Sequence, residues 1–132
     1  MSNWTAQKSY KYVALPFGVY MLLTGPALCV MTSLMSDFYL SMQPVISVGT
    51  KRIAFLVIGT WIFFMGIGFL KRQVWALYSF LVYIIAGCFA HVGLALIDPD
   101  SHWALYSPLF ILPFGAAIYF ATRRAFIPTE RV

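Results

Sequence analysis

Apolar residues run along this chain in long unbroken blocks, with no short-period alternation. Four stretches contain no Asp, Glu, Lys or Arg: Tyr12 to Met35, Ile53 to Leu70, Val74 to Ile97 and Ala104 to Thr122. A bilayer crossing takes about 20 mostly apolar residues. Because hydrocarbon offers no partner to a bare N–H or C=O, each block is predicted to be an α-helix. Polar punctuation falls between the blocks. Lys71, Arg72 and Gln73 make one tight hairpin, and Asp98 to Trp103 make another. The longer link, Ser36 to Arg52, carries Phe38, Tyr39, Leu40, Met42, Val45 and Ile46 around Pro44, too broken to cross and apolar enough to lie in the interface. The expected fold class is all-α: one integral membrane domain over 1–132, a four-helix bundle with short hairpin loops and one longer interfacial loop between helices 1 and 2.

Composition strengthens this reading. Hydrophobic residues make up 61% and aromatics 18%, against roughly 45–50% apolar usage in soluble domains. The net charge of +5 is unevenly placed. Lys8, Lys11, Lys71, Arg72, Arg123, Arg124 and Arg131 fall on one side of an even-numbered bundle, with Lys51 and Arg52 on the other. Cytoplasmic flanks collect Lys and Arg. Both termini are therefore expected inside (N-in/C-in), in a bacterial cytoplasmic (inner) membrane. The basic balance is a topological signal with some attraction to anionic membrane lipid, and no nucleic-acid partner is expected. The polar start before Tyr12 lacks the cationic beginning and cleavage site of a signal peptide, so the first helix is expected to stay.

Small residues repeat at intervals that match two helical turns. Gly18, Gly25 and Thr32 are seven apart in the first helix, and Gly59 and Gly66 are seven apart in the second. In lipid, helices associate through close backbone approach over such residues, so these positions and Gly87 are expected to pack helix against helix. In the third helix Ser79, Tyr83, Gly87, His91 and Ala95 recur every four residues, a face expected to look inward. Pro16, Pro26, Pro108 and Pro113 remove backbone donors and are expected to kink or loosen their helices. Trp75 and Trp103 read as interfacial anchors. Cys29 and Cys88 fall at similar depth in parallel helices. Without a C-x-x-C pair they read as buried thiols.

Candidate chemistry is sparse. His91 is the one ionisable imidazole inside a span, and such a group is a functional candidate by default. Around it the sequence offers Tyr83, Asp98, Asp100, His102 and Ser107 as ligand-binding candidates. The Asp98-Pro99-Asp100-Ser101 segment has the composition of a type I turn, with Asp100 or Ser101 as N-cap of the fourth helix. Asp98, Asp100 and His102 are also metal-ligand types, but no H-x-x-x-H or H-x-x-E spacing holds two on one helical face. No metal is therefore assigned. No nucleophile with a placed base, paired intramembrane carboxylates or phosphate loop is present, and no catalytic residue or cofactor is assigned.

Length and topology are loosely similar to small four-helix bacterial membrane proteins of the DoxX-like kind, a likeness of architecture that carries over no residue. The function expected is a subunit, assembly factor or modulator of a membrane complex. Its partner would be another membrane protein or a second copy of itself. One alternative is a membrane-embedded binding or redox site for a quinone, sterol, haem or divalent metal, centred on His91 and the 98–102 loop. The other is a small transporter working as a homo-oligomer.

Overall fold

The computed structural model describes residues 5–36 and 47–127. It is all-helical, with four helices long and apolar enough to cross a membrane. Helix α1 runs Ala6–Leu34, α2 Val48–Leu70, α3 Val74–Ile97 and α4 Ser107–Phe126. A 3-10 segment, Pro99–Tyr106, leads into α4. Most of the linker expected to lie in the interface, with Asp37, falls outside the described residues, as does Arg131.

Helix ends follow local polar chemistry more closely than the edges of the apolar blocks. α1 begins six residues before Tyr12, because Thr5 caps it and accepts from the Lys8 N–H at 3.3 Å. α2 begins at Val48, five residues ahead of Ile53. The Ser47 hydroxyl accepts from the Thr50 N–H and lies 2.7 Å from the Thr50 hydroxyl. Asp100 and Ser101, expected to cap the fourth helix, lie inside the 3-10 segment; that segment is capped by Asp98, whose carboxylate accepts from the Asp100 N–H at 3.1 Å, and α4 itself starts after Tyr106 with no side-chain cap. The turn there continues as 3-10 helix up to Ser107, so α4 starts later than Ala104 and ends later than Thr122. Pro16 explains an irregularity in α1: Tyr10–Ala14 is a π-turn, in which the Leu15 N–H reaches back to the Tyr10 carbonyl. The proline ring would press on the carbonyl four residues earlier, and the wider turn makes room.

α2 ends in a Schellman motif. The Gln73 N–H donates to the Gly68 carbonyl at 2.8 Å and the Arg72 N–H to Phe69 at 3.2 Å. Arg72 takes the left-handed conformation there, with φ of 53°. Its guanidinium lies 3.7 Å from the centre of the Tyr10 ring, and the Tyr10 hydroxyl donates to the Leu70 carbonyl at 2.8 Å.

α1 and α2 form the most extensive contact, an antiparallel pair in tight register. A Cβ on Gly25 would stand 2.6 Å from the Gly59 carbonyl oxygen, and one on Gly59 would stand 2.8 Å from the Gly25 carbonyl oxygen. A Cβ on Gly66 would stand 3.0 Å from the Gly18 carbonyl oxygen. Any side chain here would force the helices apart. Seven residues beyond the Gly25–Gly59 crossing in each helix, Thr32 meets Arg52, whose Nη1 donates to the Thr32 carbonyl at 2.8 Å and Nη2 to the Met35 carbonyl at 2.6 Å. A cation thus satisfies acceptors that the helix end leaves open.

The remaining helices join this pair mainly at the end that holds both termini. There Phe17, Phe69, Phe80 and Phe126 make edge-to-face contacts with centroids 4.9 to 5.9 Å apart. Ser9 donates to the Ala121 carbonyl, tying the start of α1 to α4. The buried core (Ala14, Met21, Met65, Phe69, Ala76, Leu77, Phe80, Phe126) is concentrated in this half. At the opposite end the α1–α2 crossing is carried by Gly25 and Gly59, and Gly87 and Gly93 of α3 meet no neighbour among the described residues.

Candidate functional site

The residues singled out around His91 are tied down in different ways. His91 is half-buried, and its Nδ1 lies 2.7 Å from the Gly87 carbonyl one turn earlier. With Nδ1 protonated, Nε2 is left as an acceptor. Tyr83 lies deeper, with its ring edge-to-face against Trp61 at 5.6 Å. Trp61 in turn donates through Nε1 to the Ser79 hydroxyl at 2.6 Å. Asp98 is buried and caps the 3-10 segment, while Asp100 and His102 are exposed on that segment. Ser107 opens α4.

The seven-residue spacing from His91 to Asp98 does not put the two on one helical face. α3 stops at Ile97, and Asp98 is already extended (φ −114°, ψ 108°). Among the described residues, no three His, Cys, Asp or Glu side chains gather as a metal site would require. Cys29 and Cys88 are both free. The Cys29 thiol faces α2, 3.7 Å from the Leu56 carbonyl.

The four-residue face of α3 divides in two. Its lower part, Ser79 and Tyr83, meets Trp61 of α2. Its upper part is open at Gly87, where a Cβ would meet no atom within 4 Å, in contrast to Gly18, Gly25, Gly59 and Gly66, and is buried again at Ala95. Gly93 is equally open, and Ala86 and Ala90 are exposed. The outer half of α3 therefore presents a surface of small residues with one imidazole beside it.

A second feature was not foreseen from the sequence: a groove of about 340 Å³ between α1, α2 and α3. Tyr20, Met21, Thr24, Ala27, Leu28 and Met31 form its α1 wall, Ile62 and Met65 its floor, and Phe80 and Tyr83 its α3 side. α3 contributes only at the inner end, so the groove opens as the hairpins separate. Its polar atoms are hydroxyls and thioethers, and the Thr24 hydroxyl is already bonded to the Tyr20 carbonyl at 2.8 Å. Among the described residues no carboxylate, imidazole, amine or thiol lines it, and its titratable groups are the Tyr20 and Tyr83 hydroxyls. The groove can hold an apolar body. One signal for it was present in the sequence: the α1–α2 glycine register fixes which faces of those helices remain uncovered.

No family model, curated protein or solved structure matches the chain. Function is therefore read from the arrangement of the side chains alone.

Proposed function

We infer that this chain is an integral membrane protein of the bacterial inner membrane, with both termini cytoplasmic. It acts there as a subunit, assembly factor or modulator of a membrane complex. The observation that carries this reading is the unused part of the small-residue inventory. Gly18, Gly25, Gly59 and Gly66 are consumed by the α1–α2 crossing, while Gly87 and Gly93 on α3 meet nothing. Small residues in lipid are where another helix can approach, and an imidazole on the same helix supplies a hydrogen-bonding group that gains from such a partner. The orientation draws on charge. Six described cations stand at the terminal end, and of the two at the far end Arg52 is engaged in capping α1. A catalytic or transport reading has less support, since the groove is lined by apolar groups and hydroxyls.

The test is co-purification from native membranes in mild detergent, with Gly87→Leu and Ala90→Leu beside the wild type. A stoichiometric membrane protein, or a second copy of this chain, should accompany the wild type and be lost from the variants without a change in their thermal unfolding. A chain that purifies alone and monomeric, with a photo-crosslinker at Ala90 capturing only lipid, overturns the reading. Labelling of single cysteines placed near Lys71 and near Lys51 checks the orientation.

A further inference from the structure

The first turns of α1 are out of step with the rest of that helix. Thr32, Gly25 and Gly18 stand seven residues apart and are all buried. Each α-helical residue advances by about 100°, so seven steps return to within about 20° of the starting side. A regular helix would therefore carry this stripe on to Lys11. Lys11 is exposed instead, and the side chains turned inward are the fully buried Ser9 and the half-buried Tyr10. The cause is the π-turn at Tyr10–Ala14. It takes up one residue more than an α-turn, which displaces everything before it by one position.

That displacement selects the side chains that meet α4 and α2. Ser9 donates to the Ala121 carbonyl. Tyr10 donates to the Leu70 carbonyl, and its ring carries the Arg72 guanidinium. In the regular register Tyr10 would take the place of Ser9, and Lys11 the place of Tyr10. The closed end suits neither exchange. Ser9 occupies a space with 0% exposure, which a phenol ring overfills. Lys11 would arrive beside Lys71 and Arg72, a third cation where a neutral ring now stacks. Pro16 works in the same direction. With a regular turn its ring would press on the Tyr12 carbonyl and offer that carbonyl no N–H.

We propose that this π-turn is a conformational latch. While the extra residue is held in the turn, α1 closes the end that carries the termini. When α1 reverts to a regular helix, Ser9 swings away from α4 and that end opens. The two arrangements differ by one whole residue and not by a gradual bend, so the latch has two discrete positions. Reversion turns the Ala6–Ser9 segment by about 100° and brings Lys11 next to Arg72. The latch is built from α1, α2 and α4 alone and is independent of the α3 surface.

The experiment is maleimide labelling of Thr122→Cys in the full chain in nanodiscs, with Cys29→Ala and Cys88→Ala. Thr122 is fully buried next to Ala121, so its thiol reports opening of that end. Pro16→Ala removes the ring and gives the Tyr12 carbonyl a donor, which favours the regular register and should raise the labelling rate about fivefold. Deleting Tyr12, an exposed residue of the turn, removes the surplus residue and leaves Ser9 and Tyr10 docked on a regular helix. The deletion alone should label as slowly as the parent, and added to Pro16→Ala it should bring the rate back to the parent value. A rate unchanged by Pro16→Ala overturns the proposal. So does a rise that the deletion does not reverse, since that is a general loosening of the bundle. Faster labelling in the deletion alone overturns it as well.

Discussion

The half of the molecule that carries the termini and the opposite half are built from the same apolar residue types, yet they hold together differently. Near the termini, four phenylalanines interlock, Ser9 bridges α1 to α4, and Arg72 stacks on Tyr10. At the other end the α1–α2 crossing continues through Gly59 and is finished by Arg52, while α3 and α4 stand apart with the 3-10 segment. In a bilayer, lipid solvates apolar side chains as well as protein does. Cohesion therefore comes from shape and from hydrogen bonds, and only the end that has both is closed. The open end keeps surfaces free for lipid or a partner.

That contrast can be broken at the crossing. Gly25→Leu drives a side chain into the Gly59 carbonyl and the Phe63 backbone. It should cost about 3 kcal/mol, near the upper end for overpacking, and separate α1 from α2. The same change at Gly87 should leave stability within about 0.5 kcal/mol, as for other substitutions that meet nothing. Reversible unfolding in mixed micelles measures both. Equal losses at the two positions would mean that the open α3 face is covered within the chain.

Phe69→Ala tests the closed half. This ring is fully buried and touches three other phenylalanines, and its loss should cost about 3 kcal/mol. Cysteine-accessibility labelling near Ala76 should rise as the hairpins part. Arg52→Gln tests the open half more gently. Removing the charge-assisted bonds to the Thr32 and Met35 carbonyls should cost about 1 kcal/mol and speed amide exchange in the last turn of α1. Faster exchange throughout α1 would contradict so local a role.

The smallest expected effect is at Arg72. Glycine would relieve a left-handed conformation that costs a non-glycine residue about 1 kcal/mol, but it would also remove the stacking on Tyr10, which contributes about 0.5–1 kcal/mol. Arg72→Gly should therefore change stability by less than about 0.5 kcal/mol. Asn, which tolerates the same conformation without the stacking, should behave alike. A loss of more than about 1 kcal/mol in the unfolding measurement would assign Arg72 a larger share of the closed end.

Much of the architecture was legible because it depends on local chemistry. The gap at Lys71–Gln73 and the polar break at Asp98 bound α3 at Val74 and Ile97, since apolar sequence continues up to both. Thr5 and Ser47 moved two helix starts away from the edges of the apolar blocks, because a cap is chosen by hydroxyl position and not by hydropathy. The candidate site was less legible. Asp98 follows His91 by seven residues, two turns of an unbroken helix, but the helix ends between them, and the cap forms at Asp98 because its carboxylate reaches the Asp100 N–H. The inward face expected along α3 is interrupted at Gly87 and resumes at the buried Ala95. A sequence repeat of four marks a side of a helix without saying how far a neighbour follows it.

The sequence by itself determined four helices and roughly where each one stops, because an apolar segment of that length must satisfy its own backbone and polar residues mark the exits. Which sides of those helices meet was decided only in three dimensions. The helices are apolar all round, so burial gives little preference for one face over another. Steric fit makes the choice: Gly25 against Gly59 and Gly66 against Gly18 allow backbones to touch, and that register places Arg52 at the end of α1. The groove follows from the same choice, because it is the space left where α3 cannot follow the crossing of α1 and α2.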